Sequence, residues 1–304
     1  MMTSEYHVPV LLNESVDWLV TNSDGIYVDA TFGGGSHSKA ILRKLSVSGR
    51  LYAFDQDVDA LGNVPQDKRF ALCRANFRYI KKFMRMHDVA AVDGILADLG
   101  VSSHQLDVPE RGFSYRYDSP LDMRMNKKDE VTAADILRDY DERELVRIFS
   151  DFGEVRNSKT LAKAIVDYRK SGAILTTGHL NYILQNNAVG HKPKYFAQVY
   201  QALRMEVNEE VQVIKELLQA SIELLKPCGR LVVISYHSIE DRLVKNFMKA
   251  GNAEGESGKD EYGNIYRPLK SLTKKPIEPG ENEQKINTRS RSAKMRVAEK
   301  LPDR

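Results

Sequence analysis

The sequence predicts an α/β protein in which a doubly wound, mostly parallel sheet carries an inserted helical subdomain. Five short apolar runs lack a polar alternation, which is typical of parallel strands buried on both faces. The intervals between the first three runs leave room for helices, as strand–helix alternation requires. From Asp98 to about Lys194 helical patterns replace the strands, which indicates an insertion into the sheet domain.

The strands of the predicted sheet can be read directly from these runs. Between the first two strands, the segment from Ser38 to Leu45 carries apolar residues on one helical face. Each run is short enough for a strand and too short for a typical helix. The predicted strands are 26–29, 50–55, 69–73, 92–98 and 229–235.

The insertion is predicted to be all-helical and large enough to form a subdomain. Thr132 and Asp141 are each followed three residues later by an acidic residue, which is the spacing of a capping box at a helix start. Its predicted bounds are 105–194, so that the main domain consists of residues 1–104 and 195–304.

The chain is predicted to return to the sheet after the insertion. One long amphipathic helix is expected at 196–225, ended by the Pro-Cys-Gly that follows it. After the fifth strand we expect a helix capped by Ser238. The segment 251–290, rich in Gly, Pro and charged residues, is predicted as a long mobile excursion, and 291–299 as a final strand.

Composition restricts the class of protein. The chain has 304 residues, of which 42% are hydrophobic, yet no apolar run approaches the roughly 20 residues that span a bilayer. The first residues lack the pattern of a signal peptide. Cys73 and Cys228 are the only cysteines, which favours a reducing cytoplasm over a disulfide framework. No spacing of His, Cys and acidic residues predicts a metal site.

Charge is distributed unevenly along the chain. Residues 262–304 carry 11 Lys and Arg against 5 Asp and Glu, a net charge of +6 within a whole-chain charge of +3. A basic tail on a slightly acidic body is consistent with a polyanionic partner. It is equally consistent with a solvated tail that aids solubility.

A glycine-rich segment follows the first predicted strand, with the sequence Asp29-Ala-Thr-Phe-Gly-Gly-Gly-Ser-His-Ser38. Glycines here allow a sharp turn and a close approach of backbone to ligand. A dinucleotide fingerprint that starts at Gly33 requires a glycine where Ser38 stands, and a phosphate-binding P-loop requires Gly-Lys where Ser38-Lys39 stands. The loop therefore favours a nucleoside-type ligand without phosphates.

Two further strand ends complete a predicted adenosine pocket. Asp55 ends the second strand 22 residues after Gly33, where an acidic side chain can accept hydrogen bonds from ribose hydroxyls. Phe77 follows the third strand and is expected to lie against a purine ring, although a core phenylalanine fits the pattern equally well. Ligands of open α/β sheets bind outside the carboxyl ends of the strands, where these residues fall.

Asp98 ends the fourth strand and is expected to face the reacting end of such a ligand. The segment that follows is Leu-Gly-Val-Ser-Ser, from Leu99 to Ser103. An exocyclic amine that attacks a sulfonium methyl group needs a hydrogen-bond acceptor to align its lone pair, and positioning supplies much of the acceleration. The Asp98 carboxylate or a nearby carbonyl can serve as that acceptor.

Taken together, these segments resemble the bacterial small-subunit (16S) ribosomal RNA cytosine-N4 methyltransferase family. Long strings such as DLGVSS and GFSYRYDSPLDMRM are far more specific than a glycine loop, and the helical insertion falls at the same position. The matching stretches are 7–12, 29–38, 93–107, 110–125, 229–245 and 289–296.

The resemblance implies a Rossmann-like class I methyltransferase fold, S-adenosylmethionine as the cofactor, and the N4 amine of a cytidine in the decoding region of small-subunit RNA as the target. Ser36 stands where the family commonly has glycine, so the loop geometry is expected to differ there. By resemblance, the cofactor contacts are Gly35, Ser36, His37, Asp55, Phe77, Asp98 and Gln105, to which the loop pattern adds Gly33.

Other residues are candidates for contact with the target. His237 follows the fifth strand, and we expect it near the target base, although a lone histidine is often structural. The segment around 111–124 interleaves cations and aromatic rings, which suits unpaired RNA but also suits a loop that covers the cofactor. The predicted RNA-binding residues are Arg111, Phe113, Tyr115, Arg116, Arg124, Arg289 and Arg291.

Two other functions are compatible with the sequence. A nicotinamide-dependent oxidoreductase would use a similar sheet, although the missing third glycine disfavours it. A non-catalytic RNA-binding factor of ribosome assembly could retain the fold without the reaction. For the enzyme we expect ribosomal RNA, within an assembled or assembling small subunit, as the partner.

Overall fold

The computed structural model describes residues 9–256 and 267–302 of the chain. Its strands are β1 Ile26–Asp29, β2 Arg50–Phe54, β3 Phe70–Cys73, β4 Val92–Asp98, β5 Leu225–Ser235, β6 Leu269–Ser271 and β7 Lys294–Lys300. Its α-helices are α1 Leu12–Leu19, α2 Ser36–Lys44, α3 Ile80–Met86, α4 Ser103–Asp107, α5 Ala133–Asp139, α6 Glu142–Asp151, α7 Ser158–Tyr168, α8 Thr177–Asn187, α9 Lys192–Val207, α10 Glu210–Leu224, α11 Ser238–Ala250 and α12 Glu281–Ile286.

These strands form one sheet in the order β3-β2-β1-β4-β5-β7-β6. Neighbouring strands from β3 to β5 pair in parallel, whereas β7 runs antiparallel to both β5 and β6. The chain builds outward in one direction from β1 and then returns to build in the other from β4, as in doubly wound sheets. The predicted fold class, an α/β protein with a mostly parallel sheet, is confirmed.

The central strands are buried on both faces, as their continuous apolar runs predict. In β4, Ile95 and Leu96 are both fully buried but belong to separate apolar clusters. The cluster around Ile95 includes residues of α10 and α11, and the cluster around Leu96 includes residues of α1 and α2. Successive side chains of a strand point to opposite faces, so each face of the sheet has its own helical cover.

The chain divides into two compact units, residues 1–100 with 212–304 and residues 101–211. The second unit extends beyond the predicted insertion of 105–194 because α9 packs against α5, α6 and α8 within it. Both predicted capping boxes are present there: the Thr132 and Asp141 side chains accept hydrogen bonds from the backbone N–H groups three residues on. Its core combines apolar residues of α5 to α9.

The predicted single helix at 196–225 is wrong, because α9 and α10 are separate. Asn208 leaves the helical path, and its side chain bonds the Met123 carbonyl at 2.8 Å and the Met125 N–H at 2.7 Å. Glu209 then takes a left-handed conformation with φ 48°. These contacts within the second unit compensate the backbone groups that an interrupted helix leaves unpaired.

The start of β5 also differs from the prediction. The strand begins at Leu225, directly after α10, rather than at 229. Its pairing with β4 shifts in register after the Val92–Leu225 pair, and Cys228 has φ 66°. The Pro-Cys-Gly segment therefore forms an irregularity within the strand instead of a loop after the helix.

The segment predicted as an excursion contains regular structure in its described part, since both β6 and α12 lie there; residues 257–266 of that prediction fall outside the described residues. The predicted final strand is β7, shifted to 294–300 because 288–292 form a 3₁₀ turn. Within the described residues, no helix has the length and apolar character needed to cross a membrane.

Candidate functional site

The carboxyl ends of β1, β2, β4 and β5 meet at one edge of the sheet in the first unit. Asp29 ends β1, Asp98 ends β4, and Asp55 and Tyr236 directly follow β2 and β5. Parallel pairing brings together side chains that lie up to 138 residues apart in the chain. This edge is the position at which doubly wound sheets bind ligands.

The glycine turn between β1 and α2 has the backbone shape that the sequence predicts. Gly33 and Gly35 have φ values of 50° and 75°, and Gly35 is the N-terminal flanking residue of α2. A Cβ atom at Gly35 would lie 3.0 Å from the Phe32 ring. A left-handed turn packed this closely requires glycine at position 35. Ser36, the departure from the family pattern, is the first residue of α2.

Asp55 joins this turn to the end of β2. Its carboxylate accepts hydrogen bonds from the Gly33 N–H and the Asp57 N–H, each at 2.8 Å. A carboxylate has about four acceptor positions, so two remain for the hydroxyls of a bound sugar. Burial raises the pKa of Asp55 to about 6, an effect that the two backbone hydrogen bonds oppose.

Asp98 is held by a tyrosine and faces a histidine. One carboxylate oxygen accepts a hydrogen bond from the Tyr236 hydroxyl at 2.8 Å, and the other lies 4.0 Å from His37 Nδ1. The Asp98 side chain is 14% exposed. Burial raises its pKa to about 6, while His37 and the Tyr236 hydrogen bond act in the opposite direction. This partly accessible acceptor lies at the end of the central strand.

His37 connects Asp98 to the N-terminal segment of the chain. Its Nε2 atom lies 3.2 Å from the Val10 carbonyl oxygen, and the ring is buried. If Nε2 carries the proton and donates to Val10, then Nδ1, on the Asp98 side, is an acceptor in the neutral ring. Protonation of Nδ1 would place a cation against the carboxylate.

Asp29 supports the site from below, a role that the sequence analysis did not assign to it. The side chain is completely buried and accepts hydrogen bonds from Ser38 Oγ at 2.7 Å and the Thr31 N–H at 3.1 Å. The Thr31 hydroxyl in turn accepts the Asp98 N–H at 2.7 Å. Burial raises the pKa of Asp29. Its position at a strand end followed by glycines was the available signal.

Phe77 lies where the third strand ends, as expected. Asn76 caps the short turn by accepting the Arg78 N–H, and its amide donates to the Gln56 carbonyl oxygen at 3.0 Å. Phe77 is half-buried and packs against the apolar cluster on one face of the sheet. It is therefore both a core contact and an accessible ring.

Gln105 and His237 have local structural partners. In the second unit, Gln105 is buried and completes a capping box with Ser102 at the start of α4. In the first unit, His237 rather than Ser238 is the N-cap of α11, which corrects the predicted cap. Its Nε2 atom lies 3.0 Å from a carboxylate oxygen of Glu240, which is fully buried. The histidine replaces the serine because it is the last extended residue before the helix.

The prediction that Arg111 and Phe113 contact RNA is wrong, because both side chains are buried in the second unit. The Arg111 guanidinium donates to the carbonyls of Arg124 and Met125 and lies 5.7 Å from the centre of the Phe113 ring. Alternation of cations and aromatic rings does not reveal which of them point inward.

The other predicted RNA contacts differ in exposure. Tyr115 packs edge-on against Phe196 and Tyr200, and Arg124 is paired with Asp122 at 2.7 Å. These two side chains are only partly exposed and serve the structure of the second unit. By contrast, the structure leaves three of the predicted side chains exposed: Arg116, Arg289 and Arg291.

Comparisons with known proteins agree with this geometry. Residues 4–301 match the model of the MraW methylase family. "Ribosomal RNA small subunit methyltransferase H" of Flavobacterium johnsoniae is 55% identical, over 98% of this chain and 99% of its own, and the protein of the same name from Cytophaga hutchinsonii is 54% identical, over 97% and 99%. A solved rRNA methylase of Streptococcus thermophilus is 13% identical, over 97% and 99% of the two chains, with a TM-score of 0.43.

Proposed function

This chain belongs to the MraW methylase family, and from that premise we propose that it transfers a methyl group to the N4 amine of a cytidine in the decoding region of small-subunit ribosomal RNA. The protein is an S-adenosylmethionine-dependent methyltransferase. One observation carries the assignment of its active site: the glycine turn, Asp55 and Asp98 converge at one sheet edge. The cytoplasm, where ribosomal RNA is found in bacteria, is the proposed location.

The residues at this edge fit a phosphate-free adenosine ligand. Gly33 and Gly35 leave bare backbone at the turn, and Asp55 keeps acceptor positions for sugar hydroxyls. Asp29, Asp55 and Asp98 are all acidic, a donor set that would repel a diphosphate. Gly33, Gly35, Ser36, His37 and Asp55 would hold the cofactor, with Phe77 against the adenine. When bound, the cofactor supplies an electrophilic methyl group on a sulfonium.

Asp98 is the proposed acceptor for the target amine. Its carboxylate, when ionised, accepts a hydrogen bond from the exocyclic N–H and turns the nitrogen lone pair away from itself. The Tyr236 hydroxyl fixes the orientation of that carboxylate by occupying one of its oxygens. The surplus proton of the amine then leaves to water. The target base must be unstacked to enter such a site.

Calorimetry with S-adenosylhomocysteine and single-turnover methyl transfer test this function together. We expect wild-type protein to bind the ligand, and Asp55→Ala to weaken binding because the hydrogen bonds to the sugar are lost. Asp98→Ala is expected to slow methyl transfer by roughly 10²-fold or more, with a much smaller effect on the unfolding midpoint.

The outcomes separate the competing functions. Absence of ligand binding by wild-type protein would refute the cofactor assignment, and near-normal turnover of Asp98→Ala would remove Asp98 from the mechanism. RNA affinity without methyl incorporation would favour a non-catalytic assembly factor. Mass mapping of ribosomal RNA from cells that lack the protein would identify the nucleotide. Parallel assays with free RNA and with small subunits would identify the substrate form.

A further inference from the structure

A basic groove lies at the β6 edge of the sheet, within the first unit and away from the strand ends just described. Its volume is about 470 Å³. Met248, Leu269 and Leu301 contribute apolar surface to it, and no carboxylate is among the described lining residues. We call it the β6 groove; the exposed cations that line it are Lys245, Lys249, Arg267, Lys270 and Lys274.

The charge of the groove is not neutralised by the protein. The five exposed cations have no ion-pair partner within the part of the chain that the structure describes. A sixth lining cation, Arg296, does have one, because its guanidinium binds Asp241 at 2.7 Å. Several unpaired positive charges around one concave surface raise the local concentration of anions. The β6 groove is therefore suited to a polyanion.

The chemistry of the lining favours a phosphate backbone over bases. Ser271 and Thr273 add hydroxyl groups to the cations, and the described lining residues include no aromatic ring and no side-chain amide. Stacking of bases requires aromatic platforms, and base edges are read by amides and planar guanidinium groups. Lysines and hydroxyls instead contact phosphate oxygens without regard to sequence.

The sheet register relates the groove to the candidate active site. Lys270 pairs with Glu299, which pairs with Arg230, and Arg230 is opposite Gly94 in β4. Lys270 thus lies three strand spacings, about 14 Å, to the side of β4, and four residues, about 13 Å, before the level of Asp98. The separation of about 20 Å corresponds to roughly six stacked nucleotides at 3.4 Å each.

We propose that the β6 groove binds the phosphate backbone of the substrate RNA several nucleotides from the target base. This inference rests on the proposed function for the identity of the RNA. The groove supplies affinity and register, whereas the strand-end site supplies the chemistry. A strand bound at both positions would be anchored on one flank of the methylated nucleotide.

Fluorescence anisotropy with a labelled single-stranded RNA tests the proposal in the full-length protein. The variant Lys245→Gln/Lys249→Gln/Lys274→Gln removes three exposed cations from the groove. We expect roughly tenfold weaker binding at low salt, and a salt dependence, the slope of log K against log salt concentration, that is shallower by about 2, or about 0.7 per lost phosphate contact on a single strand.

A matched control removes three exposed cations from the opposite edge of the same sheet, near β3: Lys68→Gln/Lys82→Gln/Arg85→Gln. Both variants lose the same net charge. Equal losses of affinity in the two variants would overturn the proposal, because bulk charge alone would then explain them. An unchanged salt slope in the groove variant would overturn it as well.

Two further measurements separate this proposal from its alternatives. Calorimetry with S-adenosylhomocysteine should give the wild-type affinity for the groove variant, which shows that its fold is intact. If wild-type protein itself fails to bind that ligand, the proposed function falls while the RNA titrations still decide the groove. If the groove variant loses binding only to vesicles that contain anionic phospholipid, the RNA assignment is overturned.

Discussion

Asp55 and Asp98 are carboxyl groups whose pKa burial raises to about 6. A raised pKa means that the folded state binds the proton more tightly than the unfolded state does, for which the pKa is near 3.8. Ionisation therefore lowers the stability of the fold as pH rises from about 4 to about 6, and the cost is complete above that range. At neutral pH both groups are ionised, which is the form that accepts hydrogen bonds from sugar hydroxyls and from an amine.

Methyl transfer should accordingly depend on the ionisation of Asp98. We expect kcat/KM to rise with pH to a plateau above an apparent pKa near 6 in wild-type protein. The Tyr236 hydrogen bond lowers the pKa of Asp98, so Tyr236→Phe should shift this limb to higher pH as well as reduce the rate. A pH–rate profile with S-adenosylmethionine and RNA measures both effects.

Other groups face the same carboxylate and enter this prediction. His37 lowers the pKa of Asp98, whereas Asp29 and Glu240 raise it. The apparent value therefore describes the cluster as a unit. If Tyr236→Phe lowered the rate equally at every pH, the hydroxyl would act through the structure alone and its positioning role would be rejected.

At the scale of elements, the turn between β1 and α2 is the part of the fold that depends most on residue type. Its left-handed backbone brings the amide of Gly33 to Asp55 and starts α2 against Phe32. The helices of the second unit depend instead on local caps, as the boxes at Thr132 and Asp141 illustrate. A turn whose geometry defines a ligand site tolerates less change than an exposed helix start.

Gly35→Ala tests the turn directly. The added Cβ would lie 3.0 Å from the Phe32 ring at φ 75°, so we expect the free energy of unfolding to fall by about 1–2 kcal/mol and ligand affinity to fall with it. Gly62→Ala is the matched control, because its Cβ would meet nothing within 4 Å and its φ is not left-handed. Chemical denaturation and calorimetry measure the two quantities. Equal effects of both substitutions would contradict the account of the turn.

At the scale of the whole molecule, the protein consists of two compact units with separate apolar cores. The first unit contains the strand-end site and the β6 groove. A ligand that binds only the folded protein stabilises it by an amount set by its concentration relative to Kd. The identity of the ligand that does so distinguishes a methyltransferase from the oxidoreductase that the same sheet could support.

We therefore expect S-adenosylhomocysteine at 100 times its Kd to raise the free energy of unfolding by about 2.7 kcal/mol. NADH should have no such effect, because position 38 lacks the glycine of a dinucleotide fingerprint. Thermal and denaturant unfolding with each ligand measure the difference. Stabilisation by NADH but not by S-adenosylhomocysteine would reverse the assignment.

The sequence by itself determined features that arise from neighbouring residues. Continuous apolar runs predicted β1 to β4 to within one residue, and the capping boxes at Thr132 and Asp141 were recognisable from their spacing. The glycine turn and Asp55 were recognised in the same way, since a strand end and a loop that follows it are local. Family resemblance added the cofactor and the target, which composition and periodicity do not contain.

The tertiary structure decided what depends on contacts between distant residues. The bond between Tyr236 and Asp98 exists because β4 and β5 are neighbours, although 138 residues separate the two side chains. The burial of Arg111 and the break at Asn208 likewise result from packing in the second unit. Local patterns report the periodicity of a single element; which side chains meet across elements depends on how those elements pack, and no short stretch of sequence carries that information.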